Sequence, residues 1–331
     1  MDAVGLSGEY GYGFHEGPLV EETLMLNGFP TKEEARGRVY RTGQPRTTNG
    51  DSRRVARGGF IPLPGRVTFC RMNASNWPTL TEPLPLASDI VHVARLDLNP
   101  EPNRIGALRS VLSPDELIRA DRYKFDEPRR RFIVCRAALR QLLGSCLDCG
   151  PESLNFVYGP HGKPMLEPNA VRSVGSSLAA QANRAVEFGV SHSADLALIA
   201  ITVGRRVGVD VEQHGAKVRI LKLAARFFSP REAAQLASLP ECDQLAGFYR
   251  GWTSKEAYLK ATGFGLSFPL SQFTVELNPR EPAGLLEVID QPDEVPRWRM
   301  HSLDVAPGFS AALLVEAAAH ESVDVQQWSQ P

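Results

Sequence analysis

The segment Val207-Gly208-Val209-Asp210-Val211-Glu212 sets two carboxylates two residues apart within a run of valines. Residues two apart on a β-strand face one side, so Asp210 and Glu212 project together while Val209 and Val211 point into a core. Adjacent carboxylates repel unless a cation lies between them, and paired hard oxygen donors suit Mg2+ or Mn2+ better than zinc. His214 follows two residues on, but Gln213-His214-Gly215 reads as the turn that ends the strand. A strand end with two solvated acids fits the same pattern.

A second cluster is Trp252-Thr253-Ser254-Lys255-Glu256-Ala257-Tyr258-Leu259-Lys260. On a helix, Trp252, Glu256 and Lys260 are four apart and share one stripe, which could offer a metal ligand or base beside a phosphate-pairing ammonium. The competing reading is a surface Glu–Lys pair with Trp252 in the core. Ser191-His192-Ser193 and Gly162-Lys163-Pro164 are turn-like segments. A histidine in such a turn can pair with a phosphate, and the Gly-Lys-Pro turn lets backbone approach a flat ring. Arg129, Arg130, Arg131 and Arg136 add positive charge to a helix further upstream.

The elements that must carry these residues occur twice. Ile90 to Leu96 reads as a strand, and Leu112-Ser113-Pro114-Asp115-Glu116 as a helix start, with a capping Ser, Pro at the first helical position and Glu at the third. A long helix from about Pro128 to Leu143 follows, then strands at Leu154 to Tyr158, Val186 to Val190 and Leu196 to Val203. Phe228-Ser229-Pro230-Arg231-Glu232 repeats the helix start. Lys255 to Leu259 echoes Cys135 to Leu139, and Gly308 to Val315 echoes Ala194 to Ile201. An offset of roughly 114 to 120 residues is too long for a solenoid unit and suits two tandem α+β lobes around a cleft.

The expected organisation is an N-terminal lobe over 88–204, a C-terminal lobe with the metal site over 205–320, and a tail over 321–331. Residues 1–87 read as a largely disordered extension, because Arg36 to Arg71 scatters arginines among Gly, Pro, Thr and Asn without apolar period. The chain has 331 residues and a net charge of −1, so it has no global field for nucleic acid or an acidic membrane. Five cysteines with one isolated CxxC, Cys146 and Cys149, suggest neither a disulfide framework nor a zinc site. The first residues lack a signal peptide's basic start and apolar core, and no run is long enough to span a bilayer. A cytoplasmic protein is expected.

In their joint order GKP, SHS, GVDVE, RFFSPRE and WTSKEAYLKATGFGLSFPL, over roughly residues 88 to 318, the chain resembles the surfactin-synthetase-type 4′-phosphopantetheinyl transferases. The resemblance implies the α+β fold of that family, two similar lobes with a pseudo-twofold relation, each a small antiparallel sheet packed with helices. It implies transfer of phosphopantetheine from coenzyme A to an apo acyl- or peptidyl-carrier protein, with Mg2+ (or Mn2+) as cofactor; since a single chain with two lobes can supply the whole site, a monomer is expected. Asp210, Glu212 and Glu256 fall at the metal acids. Gly162, Lys163 and Pro164 would border the adenine, and Ser191, His192 and Arg136 would hold the 3′-phosphate. Lys255 and Lys260 match the helix lysines, with Lys260 the one to meet a phosphate and Glu256 the base. Gly263-Phe264-Gly265-Leu266 would lie near the carrier surface. The extension before residue 87 and an inserted loop, Val171 to Arg184, depart from the family pattern. So do Glu116 and Phe132, which stand where some members place a basic residue and a hydroxyl.

Another Mg2+-dependent phosphotransfer enzyme would need features absent here: there is no GxxxxGK[ST] loop and no second acid cluster. An inactive carrier- or nucleotide-binding module would show damage at an acid or at the helix lysine, and all four are present.

Overall fold

The computed structural model describes residues 77–81, 83–159, 161–167, 186–215, 218–265, 268–318 and 320–329. Nearly all of the expected extension, the expected insertion Val171 to Arg184, and Leu266 of the loop after the long second helix lie outside the described residues.

In chain order the elements are β1 (Ile90–Asp97), α1 (Arg104–Arg109), α2 (Pro114–Arg122), α3 (Asp126–Leu147), β2 (Phe156–Tyr158), β3 (Pro164–Leu166), β4 (Val186–Ser193) and β5 (Leu196–Val203). Then follow β6 (Val207–Gln213), α4 (Ile220–Phe227), α5 (Pro230–Ser238), α6 (Glu241–Thr262), β7 (Phe273–Val275), β8 (Leu285–Val288), β9 (Trp298–Leu303), β10 (Phe309–Glu316) and β11 (Asp324–Ser329). The repeat is visible in the sheets. Of the two larger sheets one has strand order β11-β1-β5-β4 and the other β6-β10-β9, so β1, β5 and β4 match β6, β10 and β9; β2-β3 and β7-β8 form two small two-stranded sheets. All pairings within these matching triplets are antiparallel.

Helix starts are set locally, as the sequence dictates. In α5 the Ser229 hydroxyl accepts from the Glu232 N–H at 3.2 Å, while the Glu232 carboxylate accepts from the Ser229 N–H at 2.7 Å. In α2 the Glu116 carboxylate accepts from the Ser113 N–H at 3.0 Å. These reciprocal bonds satisfy donors that a helix start leaves open. Both long helices, α3 and α6, have 22 residues and end at a left-handed residue, Asp148 (φ 53°) and Gly263 (φ 74°).

The cap glutamates then reach inward. Glu116 accepts from the Arg140 Nε at 2.6 Å, and Glu232 meets the Lys255 Nζ at 2.8 Å, with all four side chains at most 2% exposed. Arg140 also donates to the carbonyls of Pro151 and Leu154, and Lys255 to those of Leu270 and Phe273. Buried charges persist when paired and hydrogen-bonded; Lys255 spends all three of its hydrogens in this way and Arg140 three of its five. The pairs fix the helix register: α3 and α6 start 115 residues apart, so Lys255 corresponds to Arg140. The echo between Lys255–Leu259 and Cys135–Leu139 slips by five residues, because it rested on Ala and Leu, which any helix uses.

Each lobe has its own core, of which Leu96, Leu139, Leu143 and Ile199 are typical in one and Trp252, Tyr258, Phe273 and Leu314 in the other. A third cluster joins the sheets: Val91, Val93, Leu198 and Ala200 meet Val207, Val209, Val211, Leu313 and Val315. Apolar alternation on both sheets therefore buries the seam.

Two boundaries differ from the sequence reading. Trp77 is 7% exposed in the seam cluster and donates its Nε1–H to the Asp304 carbonyl at 2.9 Å, so the folded body begins well before residue 88. The expected tail contains β11, which runs parallel to β1 with Ile90 opposite Asp324. Trp328 donates to His92 Nδ1 at 3.2 Å, and His92 Nε2 lies 2.7 Å from the Pro85 carbonyl oxygen. The C-terminal strand is thus fastened to the first lobe. Among the described residues no helix is long and apolar enough to cross a membrane.

Candidate active site

Close packing of one strand on one helix builds the site. A Cβ at Gly208 of β6 would lie 2.1 Å from the Ala257 carbonyl oxygen and 2.5 Å from the Ala261 nitrogen of α6. Only glycine admits that approach. It lays the Glu256–Lys260 turn of α6 beside Asp210, two residues along β6. The odd-numbered Val207, Val209 and Val211 enter the seam core on the opposite face.

Lys260 Nζ lies 2.6 Å from Asp210 Oδ1 and donates to the Ser191 hydroxyl at 2.9 Å. Ser191 in turn donates to Asp210 Oδ1 at 2.7 Å, and Ser193 donates to Glu212 Oε2 at 2.8 Å. The acids act on one another. Burial, then the neighbouring Asp210, pushes Glu256 up to about 7 despite Lys260. Burial, then Asp210, pushes Glu212 up to about 8, with Glu256 adding to it and Ser193 and Lys260 opposing. Burial pulls the Lys260 ammonium down, but Asp210, Glu256 and Glu212 together hold it above the ordinary lysine range. Burial, then Lys260 and Arg131, lowers His192 to about 4, so this imidazole is neutral beside two cations. An anion placed there would meet a positive corner.

The structure thus brings Asp210, Glu212, Glu256, Lys260, Ser191 and His192 to the seam between the lobes. Lys163 borders it. Its Nζ reaches the Val207 carbonyl at 3.4 Å and lies 3.9 Å from Glu187, on a turn where Gly162 has φ 76° and Pro164 opens β3. A Cβ on Gly265, just after α6, would lie 2.8 Å from His161 Cβ, so this turn of the first lobe touches the loop of the second.

Two expected ligand contacts are used up elsewhere and a third is buried in the first lobe. Lys255 is buried in the second lobe on Glu232 and two carbonyls. It lies about 100° around the helix from Glu256, which turns it from seam to core. Arg136 is 1% exposed, 3.4 Å from Glu116, and its guanidinium lies over the Phe156 ring. The Ser191 hydroxyl gives its one hydrogen to Asp210 and accepts from Lys260 and the Val211 N–H, leaving none for a phosphate oxygen. Gly208 and Ser193 stand inside motifs that the sequence marks, GVDVE and SHS, but the sequence reading assigns neither a role. Their signal was available as small residues at alternate positions, Gly189, Ser191 and Ser193 on β4, facing Gly208, Asp210 and Glu212 on β6.

Among the described residues, no group of three or more His, Cys, Asp or Glu side chains is arranged to hold a metal. The Lys260 ammonium occupies Asp210 Oδ1 instead. The donor set nevertheless fits a hard divalent cation: Asp210 Oδ2 is buried with no hydrogen-bond partner, and its neighbours Glu212 and Glu256 are held partly protonated by burial and then by the charge of Asp210.

Two family models match this chain. The family model described as 4′-phosphopantetheinyl transferase, N-terminal, matches residues 97–203, and that of the 4′-phosphopantetheinyl transferase superfamily matches residues 206–313. The chain is similar to the 4′-phosphopantetheinyl transferase HetI of Nostoc sp., 37% identical over 235 residues, covering 71% of this chain and 90% of that one. It is also similar to the 4′-phosphopantetheinyl transferase Sfp of Bacillus subtilis, 26% identical over 213 residues, covering 64% and 84%. The L-aminoadipate-semialdehyde dehydrogenase-phosphopantetheinyl transferase of Mus musculus is 25% identical over 52% of this chain and 55% of its own. With both lobes matched and the acids and lysine gathered where the lobes meet, this chain is an enzyme that belongs to the 4′-phosphopantetheinyl transferase superfamily.

Proposed function

We propose that this protein transfers 4′-phosphopantetheine from coenzyme A to a serine of an apo acyl- or peptidyl-carrier protein, with Mg2+ or Mn2+, releasing 3′,5′-ADP. The observation that carries this reading is the group Asp210, Glu212, Glu256 and Lys260 at the lobe seam, in which Glu212, Glu256 and the ammonium have shifted ionisation and Asp210 keeps one buried, unpartnered carboxylate oxygen. Perturbed ionisation in such a group is what acid–base and phosphoryl chemistry requires.

Asp210, Glu212 and Glu256 would hold the cation, which when bound neutralises charge on the pyrophosphate. Glu256 is the acid placed to remove the carrier serine's proton. The serine oxygen bonds to the β-phosphorus, the bond to the leaving 3′,5′-ADP oxygen breaks, and the proton passes to the Glu256 carboxylate. Lys260 is one-third exposed and commits two of its three hydrogens to Asp210 and Ser191, so the third can meet a phosphate oxygen. His192, with Arg131 nearby, would receive the 3′-phosphate, and Lys163 with Gly162 and Pro164 would border the adenine. Positioning and electrostatics of this kind account for most of phosphoryl-transfer catalysis. Because both lobes of one chain contribute residues, we take the active unit to be a monomer, acting in the cytoplasm.

The test is intact-mass spectrometry of apo acyl- and peptidyl-carrier proteins incubated with coenzyme A, Mg2+ and this protein. One phosphopantetheine mass should be gained, and EDTA or replacement of the carrier serine by alanine should abolish the gain. Unchanged mass across several carriers overturns the reading. Nucleotide release without carrier modification would assign a different phosphotransfer.

A further inference from the structure

β4 and β6 are the edge strands of their sheets and run alongside each other at the seam without pairing as one sheet. Side chains replace the missing ladder. On β4, Ser191 donates to Asp210 and accepts from the Val211 N–H at 3.3 Å. Two residues on, Ser193 donates to Glu212 and accepts from the Gln213 N–H at 3.0 Å. Two residues before, a Cβ at Gly189 would lie 3.3 Å from the Val209 nitrogen and 3.4 Å from Gly208 Cα. The three contacts keep one register, each β4 residue meeting β6 residues 19 and 20 positions later. Each serine therefore does two things at once: it satisfies an edge N–H that would otherwise lack a strand partner, and it points a hydroxyl hydrogen at one named carboxylate oxygen.

We propose that Ser191 and Ser193 form a hydroxyl ladder that sets the seam carboxylates, and that Ser193 is the positioning residue for Glu212. Ser193 touches no reacting atom; it acts by fixing Oε2 of Glu212, as the outer partners of metal-ligating side chains do. Both of its bonds are spent within the ladder, and Lys260 takes part only on the Ser191 rung. This makes Ser193 the cleaner test. The inference rests on the reading of Glu212 as a cation ligand.

The experiment is calorimetric titration of the full-length protein with Mn2+, alongside carrier modification as a function of Mg2+. Ser193→Ala should weaken Mn2+ binding about 10-fold, and raise the Mg2+ concentration for half-maximal rate by the same factor. KM for coenzyme A should hold, and thermal denaturation should show a folded protein. Ser193→Thr, which keeps the hydroxyl, should bind within about 3-fold of the parent, well inside the loss expected of an outer-partner deletion. Parental Mn2+ affinity in Ser193→Ala overturns the ladder whatever the carrier assay gives, and so does equal weakening by Ala and Thr, which would trace the effect to packing. A parent that binds Mn2+ with the expected Ser193 dependence yet modifies no carrier overturns the proposed reaction and upholds the ladder. A parent that binds no Mn2+ overturns both.

Discussion

The two lobes share a skeleton and differ on one face. In each, a cap glutamate at the start of a short helix reaches a buried cation on the 22-residue helix: Glu116 to Arg140, Glu232 to Lys255. Matching the central strand pairs sets Ala94, opposite Ile199, against Asp210, opposite Ala312. Leu96 then matches Glu212. Ala94 and Leu96 lie in the core of the first lobe, whereas Asp210 and Glu212 accept hydrogen bonds from Ser191 and Ser193 on the edge strand of the other sheet. On the long helices, Glu256 and Lys260 correspond to Gln141 and Ser145, both exposed. The repeat thus supplies the frame, and the candidate site consists of four differences on one copy, beside the edge strand of the other sheet.

The sharpest way to break this comparison is to remove the acid that has no counterpart. Glu256→Gln should lower carrier modification by about 10²- to 10⁴-fold, the range for loss of a general base, while Gln141→Glu in the first lobe should change the rate little. Single-turnover rates on an apo carrier decide it. Comparable losses in both variants would mean that the lobes divide the work.

The shared frame makes the next prediction. Arg140→Ala and Lys255→Ala each strand a buried glutamate, which costs about 3–5 kcal/mol. Urea denaturation should show both losses. If Lys255→Ala kept full stability and raised KM for coenzyme A, Lys255 would be a ligand contact after all.

Gly208→Ala should cost about 1–3 kcal/mol, as overpacking does, and should lower the transfer rate by more than its stability loss explains. The added Cβ meets backbone of α6, at Ala257 and Ala261, so the helix carrying Glu256 and Lys260 must move off Asp210. The first-lobe position that the strand register matches to it is His92, whose side chain has room to bond Pro85 and Trp328. Denaturation and rate measured on one preparation separate the two effects.

Much of this was legible because its signals are local. Alternating valines marked β6, Ser-Pro-x-Glu marked the starts of α2 and α5, and four-residue spacing put Glu256 and Lys260 on one stripe. What was illegible depended on distant partners. The strand β11 has only Val325 and Trp328 as apolar residues, and it pairs in parallel with residues more than 230 positions earlier. Lys255 follows Ser254 and precedes Glu256 in a motif-like run, and nothing in that run says that Glu232 awaits it in the core. Ser193 is informative only once β4 is seen beside β6. The insertion expected at Val171 to Arg184 lies outside the described residues.

The smallest predicted effect concerns ionisation, and here again the lobes should differ. Burial and then the charge of Asp210 raise Glu256 to about 7 and Glu212 to about 8 in the folded chain, above the ordinary carboxylate value. The folded state therefore holds protons that the unfolded chain releases, and without a cation, stability falls as pH rises from about 4.5 through 7 and 8. Below that window protons already occupy the carboxylates, so Mg2+ must displace them and gains little. Above it, the cation meets ionised acids and relieves their repulsion. At ten times its Kd, Mg2+ should add about 1.4 kcal/mol at about pH 8.5 and a small fraction of that at about pH 5.5. Thermal melts with and without Mg2+ at the two pH values read the difference directly. Asp210→Ala, which gives β6 the residue β1 carries at that strand position, should remove it, and an equal Mg2+ increment at both pH values would show that the cation binds somewhere other than these acids.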